Sequence, residues 1–222
     1  MRIIFSILLV TLVAFATPAQ AQKKKKKGKD AEMSKDPKKD GEKSIAEVTK
    51  NCVAYEGLFT VYQDTTNGST YLAVTPEQLD KEFIYFSYVE DGVLDAGFFR
   101  GSYRGSKIIS FQKHYDRIEI LEENTAYHYD EESPLHRASK ANINTPILAS
   151  EKIEAQKKDS IYLISGDGIF MSEKFQMVKP PSNPERPGML GKMSSEKSKV
   201  TKIQSYPQNT DIRVAYVYDN PS

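Results

Sequence analysis

Gly57-Leu58-Phe59-Thr60-Val61-Tyr62, then Asp64-Thr65-Thr66-Asn67-Gly68, then Thr70-Tyr71-Leu72-Ala73-Val74 decide the fold class. The flanking stretches are rich in β-branched and aromatic residues, which suit a pleated, half-buried surface. Asn67-Gly68 between them supplies the backbone freedom of a tight hairpin. The pattern recurs downstream. Phe83 to Val89 reads as a central strand because aromatic and apolar residues alternate densely there. Lys107 to Gln112 and Arg117 to Leu121 read as two strands across a Tyr115-Asp116 turn, with Thr125 to Tyr129 as a third. Between the hairpin and Phe83, Thr75 is a predicted N-cap, Pro76 fills the first helical position and Gln78 closes a capping box, so Pro76 to Lys81 predicts one or two helical turns. Residues 55–129 thus predict a meander of short antiparallel strands.

The second half is less regular. Leu135 to Ala141 predicts a short helix, and residues 143–161 have no firm period. Ile161 to Ile164 is a strand, broken by Gly166-Asp167-Gly168, with Ile169-Phe170 opening a short exposed or edge segment. Residues 179–199 hold Pro180, Pro181, Pro184, Pro187, Gly188 and Gly191, a long irregular loop. Thr201 to Tyr206 and Ile212 to Tyr218 are the last strands. The expected fold is mainly β: antiparallel sheets of meander or sandwich type with a few short helices. An N-terminal domain is expected over 51–140, and the start of a second, truncated β-rich domain over 141–222, with the break between about 130 and 150.

Ahead of these lies a segment of different character. Met1-Arg2 is followed by the apolar run Ile3 to Ala16 and by Pro18-Ala19-Gln20-Ala21, a small-x-small ending, which predicts a secretory signal peptide over residues 1–21. The run is about fourteen residues, short of the roughly 20 of a spanning helix. The expected location is therefore the periplasm, outer envelope or extracellular space, with no transmembrane segment after cleavage. Residues 22–50 hold eleven lysines against six acids and almost no apolar side chains before Ile45, so a disordered lysine-rich segment is predicted, with 44–50 as a short helical turn. The whole chain carries +1, so residues 51–222 sum to −5. The lysine run lacks the interleaved aromatics of a strand-stacking surface, which argues against nucleic acid as a partner.

Cys52 is the only cysteine, so no internal disulfide forms and stability must come from apolar burial. It reads as a small buried hydrophobe near the first strand, the alternative being a reactive thiol or half of an intermolecular bridge. His114, His128 and His136 are the only histidines, and no His-Glu-x-x-His occurs. A zinc ion held by His128, Asp130 and His136 is the conceivable convergence; polar loop histidines are the simpler reading. Glu119, Glu122, Glu123, Asp130, Glu131 and Glu132 read as solvated strand and loop faces. Asp167 lacks the spaced oxygen ligands of a calcium loop. Ser165, Ser172 and Ser195 stand in no Gly-x-Ser-x-Gly elbow. Gly97, Gly101 and Gly105, interspersed with Arg100 and Arg104, lack the Gly-Lys-Ser/Thr of a phosphate loop and read as a bulged loop. No catalytic, cofactor-binding or metal residue is assigned.

Several blocks recur in a fixed order: Gly57 to Tyr62, Thr70 to Val74, Pro76 to Phe83, Ser133-Pro134-Leu135-His136-Arg137-Ala138, Asn142 to Leu148 and Ile203 to Thr210. In these, over about residues 50–219, the chain resembles the N-terminal region of a bacterial family of secreted zinc-dependent metalloproteases. In that family two domains of unknown function precede a zincin-like catalytic domain. The resemblance implies a non-catalytic accessory region that packs against or orients a downstream peptidase domain of the same protein. It implies zinc in that missing domain and none here, and a protein or peptide as substrate. The abrupt close at Asp219-Asn220-Pro221-Ser222 fits a fragment of a longer protein. The alternatives are a free-standing envelope or secreted binding module and, more weakly, a surface protein tethered by its lysine segment.

Overall fold

The computed structural model of the chain describes residues 43–158, 160–179 and 190–220, the Lys140 side chain excepted. The expected signal peptide, residues 22–42 of the lysine-rich segment and the proline-rich middle of the 179–199 loop lie outside these residues. Residues 43–50, within the segment read as disordered, do have a defined conformation. Ser44 and Glu47 form a capping box, Glu47 N donating to Ser44 Oγ at 3.3 Å and Ser44 N to Glu47 Oε2 at 2.7 Å, and they start helix α1 (Ile45–Val48).

Three strands follow as one meander: β1 (Cys52–Tyr55), β2 (Thr60–Asp64) and β3 (Thr70–Val74). Gly68 at φ +80° makes the β2–β3 turn, as Asn67-Gly68 predicts. A 3-10 turn, Pro76–Gln78, replaces the longer helix expected there; Gln78 Oε1 accepts from Thr75 N at 2.9 Å and its Nε2 donates to Leu58 O. A second antiparallel run comprises β4 (Phe83–Tyr88), β5 (Tyr103–His114), β6 (Arg117–Glu122), β7 (Ile147–Lys157) and β8 (Ile161–Ser165). Helix α2 (Pro134–Asn142) lies in the β6–β7 excursion and α3 (Asp167–Phe170) follows β8. β9 (Lys199–Tyr206) and β10 (Asn209–Ala215) form a separate hairpin.

The two runs join as one eight-stranded antiparallel sheet in the order β1-β2-β3-β8-β7-β6-β5-β4. The single meander expected over 55–129 is therefore interrupted: β3 pairs with β8, and β4 goes to the far edge. β4 is an edge strand, not the central one its aromatic density suggests. Residues 125–129 are not a strand; Asn124 Oδ1 draws Ala126 N and Tyr127 N into a local turn, at 3.0 and 3.2 Å. Ile169, expected on an exposed segment, is buried on α3. The sheet takes strands from both sides of residue 140, where the sequence suggested a division between 51–140 and 141–222.

Register places the core. Val61, Leu72, Ile164 and Ile153 align across β2, β3, β8 and β7 on one face, continued by Ile118, Ile120, Ile109 and Phe111. Ala73, Leu163 and Ala155 align on the opposite face, under Ile45 and Val48 of α1. Adjacent strands lie about 4.8 Å apart, so β2 and β5, five positions apart, would be roughly 24 Å apart in a flat sheet. Yet the ring of Phe59, just before β2, stands 5.2 Å from that of Phe111 on β5 and 4.8 Å from that of Phe83 on β4. The sheet therefore curls around its principal core face. The β9–β10 hairpin covers that face with Ile203, Val200 and Ile212. Leu58 N donates to Tyr206 O at 2.6 Å, and Ser205 Oγ to Phe59 O at 2.7 Å. Gly57 permits this approach, since a Cβ there would sit 2.5 Å from Tyr206 N.

Ile164 is 0 % exposed and Ile84 on β4 is 76 % exposed. Ile164→Ala is expected to cost about 2–5 kcal/mol, and Ile84→Ala less than about 0.5 kcal/mol, in urea unfolding of the two variants.

Candidate interaction surface

The chemistry-bearing residues disperse. Among the described residues no group of three or more His, Cys, Asp or Glu is placed to hold a metal ion. His128 and Asp130 are exposed, and His136 lies half-buried on α2. Asp130 Oδ1 instead accepts from Glu132 N at 3.0 Å. His114 packs edge-on against Tyr115, with ring centroids 4.8 Å apart. Glu122 pairs with Lys107, and Glu123 accepts from Ser110 Oγ. Asp167 Oδ1 receives Thr70 N and Thr70 Oγ1, at 2.8 and 2.7 Å, so this carboxylate fastens the start of β3 to the end of β8. Ser165 Oγ accepts from Gly168 N at 3.3 Å and Ser172 Oγ donates to Ile169 O at 2.9 Å, while Ser195 sits in an exposed turn. The Cys52 thiol is held above its ordinary pKa, by burial first and the Asp64 carboxylate second, which keeps the reactive thiolate scarce.

The glycine–arginine stretch is structural as well. Gly97 ends a 3-10 turn, Leu94–Ala96, at φ +81°. Arg104 lies over the Phe98 ring, 5.5 Å from CZ to centroid, and its Nη2 donates to Val178 O. Arg100 pairs with Asp91 at 3.3 Å in full solvent.

Two features were missed in the sequence. The first is the outer face of the β4–β5 end. Strand alternation turns Phe83, Tyr85 and Ser87 to the core side and Ile84, Phe86 and Tyr88 outward. Among the described residues nothing covers the outward set. Phe86 is 58 % exposed, Tyr88 59 % and Tyr103, paired with Tyr88, 61 %. The Phe86 and Tyr88 rings stack along the strand, 6.3 Å apart.

The second is a clasp on the core side. Glu173 Oε1 accepts from Val178 N at 2.9 Å, Lys179 N at 3.2 Å and Tyr218 Oη at 2.9 Å. Tyr216 Oη donates to Phe170 O at 2.7 Å, and Phe175 meets Tyr85 of β4 edge-on at 5.1 Å. Tyr218 stacks on Phe98, 6.3 Å away. The only hint in the sequence was the paired tyrosines of the strand expected over 212–218; Glu173 stands in no motif. Burial first, and then neighbouring Tyr85 and Glu173, raise the Tyr216 pKa; burial and then the bond to Glu173 raise that of Tyr218.

These groups fold as neutral phenols, with pKa values above the ordinary 10 or so of an unfolded tyrosine. Their stabilisation is whole below about pH 10 and is lost as pH rises toward the folded values. The protein is expected to lose stability as pH rises above about 10 in urea titrations, and Tyr216→Phe to flatten that loss. Glu173→Ala leaves three donors without their acceptor and is expected to cost about 2–3 kcal/mol at pH 7.

Among the described residues no helix is long and apolar enough to cross a membrane. No curated protein matches the chain, and no solved structure does. Residues 101–222 match a family described as Domain of unknown function (DUF5117). That stretch is more than half of the 222 residues, and the chain belongs to the DUF5117 family.

Proposed function

We propose that this chain is the non-catalytic N-terminal accessory region of an exported zinc-dependent metallopeptidase, packing against or orienting a catalytic domain that follows it. One observation carries the reading. The sequence blocks by which the chain resembles that family meet one another at joints of the fold. Ser205 Oγ and Leu58 N link the Ile203–Thr210 block to the Gly57–Tyr62 block, and Gln78 Nε2 links the Pro76–Phe83 block to it as well. Glu122 N donates to Pro146 O, which ties the Asn142–Leu148 block to β6. The resemblance therefore falls on framework positions, and among the described residues the framework presents an aromatic face and no group of three or more His, Cys, Asp or Glu placed to hold a metal ion. Zinc, the peptidase chemistry it supplies as a Lewis acid and source of activated water, and the peptide substrate belong to the following domain. Residues 1–21 direct export. A free-standing binding module of the envelope is the second reading; the exposed Phe86, Tyr88 and Tyr103 favour it equally, since aromatic rings suit contact surfaces.

The test is peptide hydrolysis with added zinc. The chain over residues 22–222 is expected to be inactive. The natural reading frame extended past Ser222 is expected to encode His-Glu-x-x-His and to hydrolyse peptides until zinc is chelated. Zinc-dependent turnover by residues 22–222 alone defeats the accessory reading, and a reading frame that stops at Ser222 leaves the binding module.

A further inference from the structure

We infer that the outer face of β4, with the loop that follows it, is the surface on which the domain continuing from Asn220 docks; this rests on the accessory reading above. The face is apolar in a way a solvated strand is not. Phe83–Tyr88 contains no charged residue. Ile84, Phe86, Tyr88, Tyr103 and Phe99 are 76, 58, 59, 61 and 57 % exposed. Four rings, each offering more than half of the ~150–250 Å² such a side chain can bury, sum with Ile84 to roughly 600 Å². That is the upper end of the largest apolar patch on a typical monomer, a patch that is often functional. At its margin the apolar surface gives way to ion pairs, Arg100–Asp91 and Arg213–Glu90, the centre-and-rim arrangement of protein interfaces.

The same side of the sheet is not bare everywhere. Over β3, β8 and β7, α1 covers it with Ile45 and Val48. Among the described residues no such helix lies over the outward side chains of β4.

The path of the chain selects the occupant. Beyond β10 the backbone runs to the loop after β4. Arg213 pairs with Glu90, two residues past the end of β4, and Tyr218 stacks on Phe98 in the 93–101 loop. Asp219 N donates to Lys192 O and Asp219 O accepts from Gly191 N, at 2.9 and 2.8 Å, so the exit is held in place. Polypeptide leaving Asn220 starts against the loop that carries Phe99, Val93 and Leu94, all exposed. A linker of about ten residues reaches up to roughly 35 Å. Tethering at that range raises the local concentration of the attached domain to the millimolar level, so a patch of this size suffices to hold it.

Hydrogen–deuterium exchange on the 222-residue chain and on the natural reading frame extended past Ser222, both in zinc-containing buffer, tests the inference. The amides of 83–88 and 93–105 are expected to exchange at least tenfold more slowly in the longer protein. Phe86→Glu, and independently Tyr88→Lys, are expected to abolish that slowing while 118–121 in the core stay protected. If the longer protein binds zinc and hydrolyses peptides but 83–105 exchange equally in both chains, the docking surface is wrong and the accessory reading stands. If the longer frame encodes no zinc-binding domain, the accessory reading falls and takes this inference with it. A dimer of the 222-residue chain in light scattering that Phe86→Glu dissociates identifies a second copy as the occupant and overturns the inference.

Discussion

The pairing of β3 with β8 is the constraint on which the rest of the structure depends. It aligns Leu72 with Ile164 on one face and Ala73 with Leu163 on the other, so this seam is buried from both sides. It also joins two antiparallel runs, of three and five strands, that would otherwise be separate sheets. Asp167 fixes its register at one end, because its carboxylate takes both the amide and the hydroxyl of Thr70, and Gly166 N closes on Thr70 O at 2.8 Å. The partners are about ninety residues apart in sequence, so closing the loop costs entropy that burial on both faces must offset. With the seam made, the sheet curls and the rings of Phe59, Phe83 and Phe111 meet.

How much of this the sequence disclosed follows from which physical signals are local. The β2–β3 hairpin was legible because Asn67-Gly68 and the alternation on either side are local facts. So were the β5–β6 turn and β9, whereas the strand expected over 212–218 is β10 at 209–215, which leaves Tyr216 and Tyr218 beyond it. β7 was not, although it runs for eleven residues. A bulge between Ile153 and Ala155 shifts its register by one, so Ile153 faces the principal core and Ala155 the opposite face, and no single period of two survives. The order of strands was hidden for another reason. Nothing local to β3 says that its partner is β8 and not β4.

The misplacement of β4 bears on the functional surface. From sequence Phe83 to Val89 reads as a central strand, because dense aromatic character ordinarily signals burial. Half of that reading is right: Phe83 and Tyr85 pack inward, toward Phe59, Phe111 and Phe175. The other half needs a second layer, which the described residues do not supply at this end of the sheet. Dense aromatic character therefore does not tell an edge strand with one apolar face exposed from a central strand buried on both. The clasp was illegible for the opposite reason. Glu173 is an ordinary acid in an irregular stretch, and only the fold carries Tyr218, forty-five residues later, to its carboxylate.

The extent of the family match acquires a structural meaning from the same topology. The match begins at residue 101, just before β5, and so includes β5 to β10 while excluding β1 to β4. Within the matched stretch β8 has β7 on one side and nothing on the other, because its second neighbour is β3. Ile164 would lose Leu72, and Leu163 would lose Ala73. The β9–β10 hairpin would lose Leu58 and Phe59, to which Tyr206 and Ser205 bond, and Phe111 would lose two of the rings it packs against. The sequence unit and the packed unit are therefore different objects. In this chain the stretch that matches DUF5117 holds four of the sheet's eight strands and the β9–β10 hairpin, and both the completion of that sheet and its exposed aromatic face depend on strands from outside the match.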